Sequence, residues 1–274
     1  MNWMEFLPWL PAYLALGCVG GFAAGLLGIG GGMLYVPLLT WLFESQAFPS
    51  ASLVHMALGT SLTTIVFTSI SSMRSHHAKG NVDWRIVRRI SPGIVLGGII
   101  GGLLAAHLKT ATLAIIFTVF VTYSALQMFL NAKPKPSREL PGAVGLFGVG
   151  TLISTLSQLV GAGGGFLSVP FMTWCNVSMH RAVGTSAAIG LPIAIVGTIS
   201  FFINGSAVTD LPPGSLGFIY LPGLLSLLLP SVLFAPVGAR LASRLPVNTL
   251  KRVFAIFLFL LAAKMLHSAI TMSH

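Results

Sequence analysis

Two stretches of this chain, 133 residues apart, carry the same interruption: residues 28–41 read G-I-G-G-G-M-L-Y-V-P-L-L-T-W and residues 161–174 read G-A-G-G-G-F-L-S-V-P-F-M-T-W. Nine of the fourteen positions are identical. Each copy lies inside a long hydrophobic stretch and brings three consecutive glycines and a proline, the residues least able to continue a helix. At membrane depth, unwound backbone is tolerated only where it is buried in protein or lines a wet cavity. Helix breaks at corresponding places in two halves therefore point to a substrate site between two repeats.

That the chain is membrane-embedded follows from what it lacks. Only 7% of its residues are charged, against 55% hydrophobic, with a mean hydropathy of +0.90. A soluble domain carries about 25% charged residues, so this composition cannot cover a water-facing surface. Apolar runs of about 20 residues match a hydrocarbon core of about 30 Å. The first nine residues have no basic cluster and include Glu5, so the first apolar run is expected to stay as a membrane segment rather than be cleaved. The net charge of +10 comes largely from Lys and Arg in short loops. That is the placement of cytoplasmic anchors, not of a nucleic-acid surface. Cys18 and Cys175 show no ligand spacing and read as small core residues.

The apolar segments run over 8–28 with 33–43, then 53–73, 90–107 and 111–131, and over 142–160 with 165–175, then 182–204, 215–237 and 248–270. Residues 1–136 and 137–274 thus form two repeats within one membrane domain. Loop charge sets the sidedness. The 74–89 loop, the linker with Lys133, Lys135 and Arg138, and the 240–252 loop are basic and read as cytoplasmic, whereas 44–54 and 204–214 carry no Lys or Arg and read as external. Eight single crossings would place 240–252 outside. The conflict disappears if each glycine-interrupted stretch enters and returns, as two helices or as a re-entrant hairpin. The expected fold is then all-α: a polytopic helical membrane protein of two inverted repeats, about 8–10 membrane segments, with both termini external.

The glycine triplets permit positive φ, and exposed N–H groups at a following helix N-terminus form a natural anion site. Candidate solute contacts are Gly30, Gly31 and Gly32 with Gly163, Gly164 and Gly165; Gly28, Pro37, Gly161 and Pro170 are the expected helix breaks. Pro37 and Pro170 fall close to where a new helix would begin, and proline suits a first turn. Close packing or a hinge is the competing reading. Gly17, Gly21 and Gly25, and Gly97, Gly98, Gly101 and Gly102, have the four-residue spacing of tight helix contacts.

A second repeat, His55-Met-Ala-Leu-Gly59-Thr60-Ser61, is matched by His180-Arg-Ala-Val-Gly184-Thr185-Ser186, with five of seven positions identical at an offset of 125. The preceding connection is thus eight residues longer in the first half. Thr60, Ser61, Thr185 and Ser186 can cap backbone, join helices or bind a solute. His55 and His180 can carry protons, contact an anion or anchor at the interface. The five acids (Glu5, Glu44, Asp83, Glu139, Asp210) all fall at termini or in loops. No carboxylate is placed to bind a cation at mid-membrane, and the available hydroxyls and backbone dipoles favour an anion. No metal motif and no nucleophile turn are present, so neither a metal nor an enzyme is expected.

These motifs, from Gly25 to Pro37 and Gly161 to Pro170 with the two H-x-A-x-G-T-S segments, resemble the TauE/SafE family of membrane transporters over essentially the whole chain. The resemblance implies transport of sulfite, organosulfonates or related sulfur-containing or carboxylate anions across the bacterial inner membrane. It marks Gly28 to Pro37, His55 to Ser61, Gly161 to Pro170 and His180 to Ser186 as the transport core. The expected activity is secondary transport by alternating access, with a proton or ion as possible coupling partner and no cofactor. An anion channel of the same architecture, or a non-transporting membrane enzyme or scaffold, are the alternatives.

Overall fold

The computed structural model describes residues 6–27, 31–130, 138–241 and 247–271. After a short 3-10 turn come α1 (Leu10–Leu27), α2 (Gly32–Ser45), α3 (Leu53–His77), α4 (Trp84–His107) and α5 (Thr110–Phe129). The second half supplies α6 (Ala143–Val160), α7 (Gly165–Trp174), α8 (Met179–Gly205), α9 (Leu221–Leu241) and α10 (Val247–Thr271). Between α8 and α9, a small antiparallel hairpin pairs β1 (Ser215–Leu216) with β2 (Ile219–Tyr220). The apolar stretch expected to start at 215 therefore begins its helix at Leu221. Gly214 and Gly217 take φ of +90° and +56° and turn the chain before it.

Among the described residues, seven helices are long and apolar enough to cross a membrane: α1, α3, α4, α5, α6, α8 and α9. Large apolar side chains such as Leu103, Val119, Leu152, Ile203, Leu229 and Leu260 point outward from the bundle. A water-soluble surface does not carry apolar faces on this scale, and lipid does. The chain is a polytopic helical membrane protein. α3 is the exception among the long helices, since it is buried along most of its length and sits at the centre.

α2 and α7 are only 14 and 10 residues long, about 21 and 15 Å at 1.5 Å per residue. Each runs back along the helix before it. Gly31 lies against the Gly20 carbonyl midway along α1, while Gln46, just past the end of α2, donates through Nε2 to Tyr13 Oη near the start of α1 (2.8 Å). Likewise Gly164 packs beside Ile153 and Ser157 of α6, and Asn176 Nδ2 donates to the Arg138 carbonyl ahead of it (3.0 Å).

Glycines decide how closely the long helices approach. Gly17, Gly21 and Gly25 press α1 onto the backbone of α9 at Leu227, Ser231 and Ala235. Gly97 and Gly101 do the same for α4 on α6 at Thr151 and Thr155, while Gly98 and Gly102 face Val196 and Ser200 of α8. A Cβ at any of these positions would overlap its neighbour, which is the small-residue packing expected from their spacing. The contacts also exchange the halves: α1 packs on α9 as α6 packs on α4, α3 meets α8, and α5 meets α10.

Candidate functional site

The two glycine breaks touch. Gly31 and Gly164 are the N-caps of α2 and α7, with left-handed φ of +74° and +73°. A β-carbon is strained there, so glycine is the residue this turn accommodates. α2 and α7 start at the third glycine, which places Pro37 and Pro170 in the second turn rather than the first. Each proline then withholds the hydrogen bond from the carbonyl four residues back, Met33 and Phe166 respectively. Gly32 packs directly on the backbone of Gly161 and Ala162, and Gly161 is lodged between Val36 and Leu58. Gly163 lies against Gly190 of α8, which in turn packs on Ser69. All of these positions from Gly31 on are buried except Pro170, which is partly exposed. Gly28 and Gly30 lie outside the described residues.

The second repeated motif divides into three tasks. Its glycine gives room: Gly59 lets the Phe218 carbonyl close in, and Gly184 does so for Asn81. Its threonine accepts: Tyr220 N–H donates to Thr60 Oγ1 (3.0 Å), and Asp83 N–H donates to Thr185 Oγ1 (2.9 Å). Tyr220 and Asp83 each directly precede the fourth helix of the opposite half, α9 and α4. Each half thus holds the other's loop through the same residue. The serine turns to the breaks. Ser61 Oγ donates to the Gly161 carbonyl (2.9 Å), while Ser186 Oγ accepts from Ser168 Oγ of α7 (2.8 Å).

The two histidines part company. His55 is buried, with Nε2 3.1 Å from the carbonyls of Ala105 and Leu108 and its ring stacked on Phe218. His180 is exposed, beside Arg181, whose guanidinium pairs with Asp83 at 3.5 Å. Ala105 and Asp83 lie toward opposite ends of α4, about 33 Å apart at 1.5 Å per residue. One small solute does not bridge His55 and His180.

Tyr35 and Ser231 meet without any signal in the motifs. The Tyr35 ring covers Gly20 and its hydroxyl donates to Ser231 Oγ (2.9 Å), pinning α2 to the α1–α9 pair. The corresponding place in α7 is Ser168. On α6, Ser154, Ser157 and Gln158 are fully buried, and Ser154 Oγ, Ser157 Oγ and Gln158 Oε1 have no hydrogen-bond partner. A signal for these was present in the repeat. At the same offset of 133, the first half has Gly21, Ala24 and Gly25, so polarity enters only the second copy.

Outside the membrane-spanning helices, Tyr220 packs against Phe6, Phe43 and Phe48, and burial pushes its phenol up from the ordinary value. Cys18 and Cys175 are both free thiols.

A family model described as "Sulfite exporter TauE/SafE" matches residues 13–265. A "Probable membrane transporter protein" of Haemophilus influenzae is 39% identical over 257 residues, covering 92% of this chain and 96% of that protein. Proteins of the same description from Methanocaldococcus jannaschii (26% identical, covering 88% of this chain and 89% of that one) and Bacillus subtilis (27%, covering 87% and 91%) also align. No solved structure gives a significant match.

Proposed function

The chain belongs to the sulfite exporter TauE/SafE family, and we propose that this membrane transporter moves a small anion, sulfite or an organosulfonate, by alternating access between two inverted repeats. The observation that carries the reading is the contact of Gly32 with Gly161 and Ala162, which brings two helix breaks from different halves to one buried place. The N-termini of α2 and α7 start there, each worth about half a positive charge. Gly31, Gly32, Gly163, Gly164 and Gly165 would offer backbone to the solute, with Ser61 and Ser186 beside them. Thr60 and Thr185 would keep the loops of the opposite half in place, and Gly161, Pro37 and Pro170 would let the hairpins tilt.

Residues 1–136 and 137–274 are the repeats in this reading. The exchanged packing of α1 on α9 and α6 on α4 supports a two-fold relation, and the return of α2 and α7 supports opposite orientation. One end of the bundle gathers His76 on the Gly25 carbonyl, Lys79 on the Ala239 carbonyl and Arg181 on Asp83. Arg74, Arg85, Arg88, Arg89 and Arg240 belong to helix ends or loops on that side, and their excess supports a cytoplasmic face. Both termini would then be external, in a bacterial inner membrane. Coupling would come from a proton or ion gradient, with no chemical transformation of the solute.

Flux of labelled sulfite into proteoliposomes tests this. Saturable, counter-transport-stimulated flux is expected, while single-channel currents would favour an anion channel. If Gly31→Leu with Gly164→Leu yields a folded protein with undiminished flux, the breaks are not the site.

A further inference from the structure

Gly31 and Gly164 take nearly the same backbone conformation, but the side chains packed around the two breaks differ. α6 presents Ser154, Ser157 and Gln158 at spacings of three and four, hence on one face. All three are completely buried. That face lies in the seam where α6 packs against α4 and α8: Ser154 Oγ is 3.2 Å from where a β-carbon on Gly98 would sit, and Gly101 and Gly197 leave the room that Gln158 fills. Ser157 Oγ points at the α7 N-terminus, 3.2 Å from the position of a β-carbon on Gly164. There the Gly164 carbonyl is taken by the N–H groups of Leu167 and Ser168, and the N–H groups of Gly165 and Phe166 precede any acceptor within the helix. A membrane-embedded hydroxyl ordinarily donates to the carbonyl four residues back, as Thr63, Thr64 and Thr118 do here. Ser154 and Ser157 have no such partner. Their protons are unused in a place that excludes water, which is costly unless something else accepts them.

Gln158 adds a chemical constraint. Its Nε2 donates to the Ile193 carbonyl at 3.0 Å, and a carbonyl can only accept, so the free end of the amide is the oxygen. Two hydroxyls and a helix N-terminus ask for a ligand with acceptor oxygens, while Oε1 asks for a donor on the same ligand. In the first half, the equivalent places hold Gly21, Ala24 and Gly25, packed on α9.

We propose that Ser157 and the α7 N-terminus bind the oxyanion end of the transported solute, and that Ser154 and Gln158 select an oxyanion which also carries a hydrogen-bond donor. The side chains that discriminate between solutes thus lie in the second repeat, while the first repeat contributes backbone at the α2 N-terminus. This rests on the reading of the protein as an anion transporter.

The test uses the full-length protein in proteoliposomes with labelled sulfite, and Ser124→Ala as a matched control. Ser124 Oγ is likewise buried and without a partner, but it sits on α5. Ser157→Ala is expected to raise KM for sulfite about tenfold or more, the size of one lost hydrogen bond to a charged group, with thermal stability unchanged or improved. Ser124→Ala should leave KM unchanged. In competition, wild type should prefer 2-hydroxyethanesulfonate over ethanesulfonate, and Gln158→Met should erase that preference. If Ser157→Ala matches Ser124→Ala in KM, or if Gln158→Met keeps the preference, the assignment is overturned while anion transport stands. If wild type carries no anion at all, both readings fall together.

Discussion

Ser61 Oγ donates to the carbonyl of Gly161 over 2.9 Å, a bond between the third helix of the first half and the glycine break of the second. Both residues are completely enclosed, so no water replaces either partner. This bond runs from a repeated G-T-S motif directly across to the other half's break. It makes Ser61 a probe of how firmly the two halves are joined.

Ser61→Ala should lower unfolding stability by about 1–3 kcal/mol, the cost of stranding a buried carbonyl. Thermal unfolding in detergent measures it. An unchanged midpoint would mean the carbonyl has another donor within reach.

Thr60→Val and Thr185→Val preserve shape and remove the acceptors for Tyr220 N–H and Asp83 N–H. Each should cost about 1–2 kcal/mol. The two sites serve separate loops, so the double variant should equal the sum within about 0.5 kcal/mol. A large non-additive remainder would show that the loops move as one unit.

Gly32→Ala and Gly148→Ala form a contrasting pair. A β-carbon on Gly32 would run into the Gly161 carbonyl, whereas one on Gly148 meets nothing within 4 Å. Gly32→Ala should destabilise by at least about 3 kcal/mol or prevent folding, because backbone cannot step aside. Gly148→Ala should be neutral or stabilising by about 0.5–1 kcal/mol, as expected for an open helix position. Equal effects would refute the close contact at Gly32.

Asp83 has two roles that substitution separates. It caps α4 by accepting from Arg85 N–H and Ile86 N–H, and it pairs with Arg181 at the surface. Arg181→Ala should cost under about 1 kcal/mol, the usual worth of an exposed pair. Asp83→Ala should cost about 1 kcal/mol more than Asp83→Asn, which keeps the cap. If the Asn and Ala variants unfold together, the cap contributes nothing.

Sidedness has a direct readout. With Cys18 and Cys175 replaced, Asp210→Cys in intact spheroplasts should react with a membrane-impermeant maleimide, and Arg88→Cys only after permeabilisation. The reverse pattern would invert the proposed topology.

The broad architecture could be read one residue at a time because its causes are local. Apolar length commits a segment to lipid, and a glycine triplet with positive φ stops a helix wherever it occurs, so α1 with α2 and α6 with α7 were foreseeable as interrupted hairpins. The spacing of Gly17, Gly21 and Gly25 announced a tight contact without naming α9 as its partner. The start of α9 at Leu221 was missed because residues 215–220 are apolar enough for a helix, and only the turns at Gly214 and Gly217 exclude it.

The histidines and hydroxyls show the boundary most clearly. His55 and His180 occupy the same place in a repeated motif, yet one is sealed against the end of α4 and the other lies exposed beside Arg181. Composition, periodicity and internal repetition were enough to establish a polytopic helical membrane protein with paired breaks, since those act through solvent and backbone geometry. Which hydroxyl meets which backbone group depends on residues 100 to 160 positions away, as for Ser61 with the Gly161 carbonyl and Thr60 with the Tyr220 N–H. A hydrogen bond needs its partner within about 3 Å, and only packed helices supply that distance.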